Sequence, residues 1–206
     1  MMNDSIGVSA IVLAGGLSRR LGRDKALEPF GGEPLISRVI GRLATLTDEI
    51  VVVVNSKARA AELPLPAGAK TAVDIYPDSG SLGGIFTGLT AASNEWGFVV
   101  ACDMPFLNTA LIKHILSLRQ GHDAVVPMLE GYPEPTHSAY SKACLPHIER
   151  RLEAGQLRIA RFFDDVRVRY VQDDEVDALD ADRLSFFNVN TPDDLAHALS
   201  LVEEGR

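Results

Sequence analysis

Short, nearly unbroken apolar runs alternate along this chain with segments whose apolar residues recur every third or fourth position. The runs cover residues 8–13, 50–54, 70–73, 98–101 and 124–127. Their length and lack of polar alternation predict strands buried on both faces. Between them, residues 35–46, 85–93 and 107–118 carry the spacing of amphipathic helices. The pattern predicts an α/β fold with a mostly parallel central sheet covered on both sides, a three-layer, Rossmann-like arrangement. The last third is less regular. A helix is expected over 142–152, a short strand over 166–171, and a final helix from Thr191-Pro192-Asp193-Asp194. There threonine can cap, proline can take the first helical position, and the carboxylates suit the positive end of the dipole. The Asp-rich stretch 173–182 reads as a solvated surface loop.

With 206 residues and no polar linker, the chain reads as a single domain, 1–206. Its 46% hydrophobic and 23% charged residues allow a real core. A net charge of −8, with no basic tail or basic helix, argues against nucleic acid as a partner. It does not argue against an anionic small molecule, for which a few local donors suffice. The opening Met1-Met2-Asn3-Asp4-Ser5 lacks a basic region, and the apolar run after it breaks at Gly15-Gly16. Neither a signal peptide nor a membrane span is therefore expected. Two cysteines, Cys102 and Cys144, without zinc-site spacing, fit a reducing cytoplasm.

Chemistry gathers just after the runs, where ligands of such sheets bind. Leu13-Ala14-Gly15-Gly16 can bring backbone N–H groups close to a ligand, and Arg19, Arg20, Arg23 and Lys25 then add positive charge. The segment lacks the Gly-Lys-Ser/Thr ending of a Walker loop and the G-x-G-x-x-G fingerprint. It reads as a phosphate site, the alternative being a tight turn with exposed basic residues. Cys102-Asp103-Met104-Pro105 places a carboxylate at a strand end, suited to Mg²⁺, which needs only one or two carboxylates when phosphates complete its shell. The competing role, capping the next helix, can fall to Asn108 or Thr109. Cys102, with no histidine nearby in sequence, reads as a small buried residue. Asn55 and Asp74 end two further runs, and Gly80, Gly83 and Gly84 follow in a loop leading to a helix. Asn188-Val189-Asn190-Thr191-Pro192 presents two same-facing amides that bind ligand, complete a metal shell or cap the turn. No Ser/His/Asp nucleophile set is evident, and the histidines lack metal-ligand spacing. His137, after Pro133-Glu134-Pro135-Thr136, stands out among them.

These motifs, in this order and at this spacing, resemble the molybdenum cofactor guanylyltransferases, nucleotidyltransferases of GT-A-like α/β fold. The likeness runs from about Val8 to about Leu199. It implies transfer of GMP from GTP to the terminal phosphate of Mo-molybdopterin, with release of pyrophosphate. It implies that Leu13, Ala14, Gly15 and Gly16 hold the guanine and ribose, aided by Asn55, Asp74 and Gly84. Lys25 would contact phosphate, Asp103 would bind Mg²⁺, and Arg20 would share with Lys25 the charge on the transferring group. Pro135, Asn188 and Asn190 would lie on the pterin side, giving a nucleotide-binding half over about 1–105 and an acceptor-binding half over about 106–206. Transient contact with molybdenum-insertion and molybdoenzyme assembly proteins would fit the same role. Relatives that use CTP tend to read Leu-Ala-Ala-Gly, so Gly15 is the residue favouring guanine. Thr136 and His137 stand where that family more often carries apolar residues.

Two other nucleotidyltransferase readings compete: a molybdenum cofactor cytidylyltransferase and a sugar-phosphate enzyme. The latter usually carries Thr-Arg-Leu-x-Pro where this chain has Ser18-Arg19-Arg20-Leu21-Gly22. A non-catalytic nucleotide sensor or assembly factor is the reading from another class; it need not keep Lys25 and Asp103, and this chain keeps both.

Overall fold

In the computed structural model, which describes residues 7–16 and 24–205, the expected strands are present and the sheet is larger than the apolar runs foretell. The strands are β1 (Val8–Leu13), β2 (Pro29–Phe30), β3 (Glu33–Pro34), β4 (Ile50–Val54), β5 (Lys70–Val73), β6 (Trp96–Ala101), β7 (Ala124–Leu129), β8 (Tyr132–Pro133), β9 (His137–Ser141) and β10 (Val168–Val171). The helices are α1 (Leu35–Leu43), α2 (Lys57–Glu62), α3 (Gly80–Ala91), α4 (Thr109–Ser117), α5 (Leu145–Glu153), α6 (Asp173–Asp177) and α7 (Pro192–Glu203). The main sheet runs β10-β7-β9-β6-β1-β4-β5, with β8 paired to β7. Only β9 runs against its neighbours in that row. β2 and β3 form a separate antiparallel pair.

The core follows from the two faces of the sheet. Val8, Ala10 and Val12 of β1 pack with α1, α4 and Val176 of α6, while Ile11 packs with α3, α5 and the 3-10 helix Ile159–Asp165. A third cluster, with Phe30, Leu35, Phe106, Val189 and Leu195, seats α7 on the β2–β3 pair. Among the described residues no helix is long and apolar enough to cross a membrane.

Three expectations need correction. β9 is absent from the apolar runs because its sequence is His-Ser-Ala-Tyr-Ser, yet all five residues are buried. Ser138 and Tyr140 can be buried because their hydroxyls donate to the carbonyls of Glu134 (2.7 Å) and Pro135 (2.8 Å) in the preceding loop. The segment 173–182 is not simply a solvated loop. It opens with α6, whose first turn takes the acidic residues. Val176 is buried, and Asp180 is a buried acceptor for Ser185 N at 2.9 Å. Finally, α3 begins at Gly80, so Gly83 and Gly84 lie inside a helix and not in a loop before it. Glycine is a weak helix former, and here it is kept for close packing. A Cβ at Gly83 would sit 2.8 Å from Tyr76 O, and one at Gly84 would sit 3.0 Å from a methyl of Leu13. The C-terminal expectation holds: Thr191 caps α7 through Asp194 N, with Pro192 at its first position.

Candidate active site

The chain steps from β1 to β4 and β5 on one side, then crosses back to β6 on the other. That reversal leaves a crevice beyond the carboxyl ends of β1 and β6. Two further ladder bonds extend these strands: Ala14 N donates to Val53 O (2.8 Å), and Cys102 N to Leu13 O (3.2 Å). They deliver Gly15, Gly16 and Asp103 to the rim. A cavity of about 660 Å³ opens there, a size that suits a nucleotide. Every described residue lining it lies between Leu13 and Asp103, and Leu13, Ala14, Gly15, Gly16, Lys25, Asn55, Asp74, Gly84 and Asp103 are all among them.

Lys25 and Asp103 meet on its wall. Lys25 sits on the 3-10 helix Lys25–Leu27, capped by Asp24, whose carboxylate accepts from Ala26 N at 3.1 Å. Its ammonium lies 3.1 Å from Asp103 Oδ2, with both side chains largely buried, and donates to Asn190 Oδ1 at 2.5 Å. Asn190 is placed by the start of α7, because Asp194 accepts from the N–H groups of Asn190 (2.9 Å) and Thr191 (2.8 Å). Val189 N donates to the backbone oxygen of Asp103 (2.9 Å), so the same loop steadies Asp103 as well as Asn190. Asp103 Oδ1 is buried and has no hydrogen-bond partner among the described residues. A buried carboxylate oxygen left over in this way fits a hard cation shared with phosphate oxygens. Among the described residues there is no group of three or more His, Cys, Asp or Glu that could hold a metal.

Other expected residues divide. Asp74 lines the cavity, but its Oδ1 is engaged by Tyr76 N (3.1 Å) and Thr87 Oγ1 (3.0 Å), which tie the end of β5 to α3. Gly15 approaches β4 closely, since a Cβ there would stand 3.2 Å from Asn55 N. Asn188 turns back on its own loop, donating to Phe186 O at 3.0 Å, and does not join Asn190 at Lys25. Pro135 lines a neighbouring hollow instead of this cavity. Arg20, with Arg19 and Arg23, lies outside the described residues. Cys102 is half-buried on the cavity wall, and burial, aided by the charge of Asp103, pushes its thiol up to about 12, so it stays protonated and is no nucleophile.

Arg59 is the residue that sequence reasoning missed. It lies on α2, a helix of six residues too short and polar to show a period, which Ser56 caps by accepting from Arg59 N (3.1 Å). Its side chain is 12% exposed, lines the cavity, and pairs with both carboxylate oxygens of Asp24, at 2.6 Å to Oδ1. Arg59 thus holds the cap of the turn that carries Lys25. The only sequence signal was a basic residue shortly after a strand end.

Comparison with known proteins places these features in context. The model of the MobA-like NTP transferase domain family matches residues 10–173. A molybdenum cofactor guanylyltransferase of Desulfosudis oleivorans is 38% identical over 97% of this chain and 98% of its own length. A probable molybdenum cofactor guanylyltransferase of Pelotomaculum thermopropionicum is 36% identical over 96% and 95%. Among solved structures, molybdopterin-guanine dinucleotide biosynthesis protein A from Archaeoglobus fulgidus superposes with a TM-score of 0.84 at 29% identity, covering 95% of this chain and 99% of that one.

Proposed function

From the premise that the chain belongs to the MobA-like NTP transferase family, we propose that it is a guanylyltransferase of molybdenum cofactor biosynthesis. It transfers GMP from GTP to the terminal phosphate of Mo-molybdopterin, forming molybdopterin guanine dinucleotide and releasing pyrophosphate. The observation that carries this reading is the meeting of Lys25 with Asp103 and Asn190, the first two on the wall of a nucleotide-sized cavity. Near-full-length relatives named for that reaction support the choice of substrates.

The residues present suit a reaction that is mostly positioning and neutralisation. A phosphate oxygen of the acceptor attacks the α-phosphorus of GTP, the bond to the bridging α–β oxygen breaks, and pyrophosphate departs with its electron pair. The backbone of 13–16 and Asn55 orients the nucleoside, with Asp74 shaping the far wall. Lys25 offsets charge on the transferring and leaving phosphates, and Arg20 is assigned the same task from its place in the motif. Mg²⁺, when bound at Asp103 with the phosphates, supplies Lewis-acid polarisation and a template. No side-chain nucleophile is needed, in keeping with the protonated Cys102 thiol. We assign the nucleotide to the half before about residue 105 and the acceptor to the half after it. The cytoplasm, where the free thiols of Cys102 and Cys144 persist, is the proposed setting.

The test is pyrophosphate release from GTP and from CTP, with and without molybdopterin, by wild type, Lys25→Ala and Asp103→Ala. Release is expected with GTP and acceptor together, falling by about 100-fold or more in each variant while circular dichroism stays native. Near-normal turnover in either variant would overturn the assigned roles. Faster release from CTP would make the chain a cytidylyltransferase, and GTP binding without release under any acceptor would make it a sensor.

A further inference from the structure

Among the described residues lining the nucleotide cavity, four carboxylates, Asp24, Asp74, Asp78 and Asp103, face two cations, Lys25 and Arg59. Each cation is engaged with one of those carboxylates, Arg59 with Asp24 and Lys25 with Asp103. The two pairs differ in what they leave over. Arg59 reaches both oxygens of Asp24. Lys25 stands 3.1 Å from Asp103 Oδ2 alone, while Oδ1 is buried with no hydrogen-bond partner among the described residues. One negative charge therefore carries one cation already and keeps one oxygen for another. The side chains of Lys25 and Asp103 are 17% and 14% exposed, so water and salt screen the charges on this carboxylate weakly. Each partner is also held without the other. Lys25 donates to Asn190 Oδ1 at 2.5 Å and rides on a turn capped by Asp24, and the backbone oxygen of Asp103 accepts from Val189 N at 2.9 Å. The ion pair can loosen without unravelling either loop. A pair that served only to fasten the loops would have no reason to leave Oδ1 buried and unserved.

Resting on the assignment of the metal to Asp103 in the guanylyl-transfer reading, we propose that Lys25 is an internal competitor for that carboxylate, holding it against a divalent cation until triphosphate oxygens draw the ammonium away. Two cations beside one weakly screened carboxylate repel each other, so a metal offered alone meets a site whose charge is already neutralised. A triphosphate brings enough negative charge to serve both. Lys25 then keeps its bond to Asn190, turns from Asp103 to phosphate, and leaves the carboxylate to the metal. Metal and nucleotide are thereby coupled through one lysine, each raising the affinity for the other. The consequence is an order of binding: the nucleotide-bound protein has the good metal site, and the free protein does not.

The test reads binding and not turnover. Mn²⁺, which takes the same oxygen ligands, stands in for Mg²⁺, and its unbound fraction is measured by electron paramagnetic resonance with the full, nucleotide-free chain. Lys25→Met removes the charge and keeps the stem. Lys25→Gln also removes the charge but can still donate to Asn190, which covers the case of a methionine variant that fails to fold. Each should bind Mn²⁺ about tenfold or more tightly than wild type, and Lys25→Arg, which keeps the charge, should match wild type. Adding Asp103→Asn to either neutral variant should abolish the gain. With the α,β-methylene analogue of GTP present, wild type should hold Mn²⁺ more tightly than the analogue does alone, and Asp103→Asn should not. Equal Mn²⁺ affinity in nucleotide-free wild type and both neutral variants, or binding by none of them, would overturn the proposal. So would a gain that survives Asp103→Asn, which would put the ion elsewhere. An Asp103→Asn complex with the analogue that holds Mn²⁺ as wild type does would overturn the metal assignment and the proposal with it. Absence of pyrophosphate release from GTP by wild type would overturn guanylyl transfer alone, because the competition between Lys25 and Mn²⁺ is read without turnover.

Discussion

Replacing His137 with leucine should stabilise the protein, and should do so more strongly as the solution becomes more acidic. His137 is fully buried in β9, and neither ring nitrogen has a hydrogen-bond partner among the described residues. Its ring meets Phe98 edge-on at 5.2 Å between centroids and leans on Phe186 at 4.7 Å. Burial pushes its pKa down to about 3 from an ordinary 6.5, so the native imidazole is neutral. The unfolded chain takes up a proton below about pH 6.5 while the folded chain does so only near pH 3, so native stability falls with falling pH between those values. Near pH 7.5 wild type bears only the cost of a neutral polar ring without partners, about 1–3 kcal/mol. Each pH unit below 6.5 adds about 1.4 kcal/mol, which brings the extra penalty to about 2.7 kcal/mol at pH 4.5. Leucine is close in volume, so repacking should change stability by less than about 1.5 kcal/mol. The assay is urea unfolding of both proteins from pH 7.5 to 4.5, followed by fluorescence of Trp96. Glu49, held down to about 2 against the effect of burial by bonds from Lys70, Ser9 and Ser93, titrates alike in both proteins and cancels in the difference. A stability difference that stays flat across this range would refute the reasoning.

Three further outcomes follow from the site. Arg59→Gln should lower kcat/KM for GTP about tenfold, by freeing the Asp24 cap that carries Lys25; the reversed pair Asp24→Arg with Arg59→Asp should recover part of that loss, and equal defects in single and double variants would count against the link. Asn190→Ala should reduce kcat about tenfold because it releases Lys25, whereas Asn188→Ala should change it less than about twofold; steady-state rates with the opposite ranking would reverse the two roles. Gly15→Ala brings a Cβ to 3.2 Å from Asn55 N, so the loop must give by a few tenths of an ångström. Its kcat/KM for GTP should fall about tenfold, narrowing the preference over CTP, and an unchanged ratio would show that nucleotide choice lies elsewhere.

Legibility in the sequence tracked how directly each residue's chemistry reports its surroundings. The strands β1, β4 and β7 are readable because both of their faces are largely buried, so they are apolar at nearly every position. β9 is equally central but was unreadable, because its burial depends on hydroxyl bonds to a loop that only the fold brings near. α3 was read from Ile85 onward and its glycine-rich first turns were lost, since close packing against Leu13 is a tertiary reason for a locally poor helix residue. At the site, Lys25 and Asp103 were marked by type and position. The different fates of Asn188 and Asn190 were not, because two same-facing amides diverge once one meets Lys25 and the other its own backbone. Arg59 left little trace, since its role lies in a partner 35 residues earlier.

The same contacts explain why the last segment belongs to a site whose described cavity walls all come from the first half. Asn190 holds Lys25 across a separation of 165 residues, and Val189 holds the backbone of Asp103. That loop leaves the core at Phe186, whose ring packs on His137, and enters α7 through the Thr191–Asp194 cap. Its position is therefore set at both ends, by a packed ring and by a capped helix, before it reaches Lys25. Fixing a lysine through a distant loop costs little chain entropy once both anchors exist, whereas the same lysine on the loop 24–28 alone would sample many rotamers. An ammonium ordered before substrate arrives does not have to be ordered in the transition state, which is where its charge has to act. His137 fits this picture as a residue that lowers stability behind the site while leaving its geometry intact. A leucine there should therefore change the unfolding free energy without changing kcat, which separates the packing that supports the loop from the chemistry the loop serves.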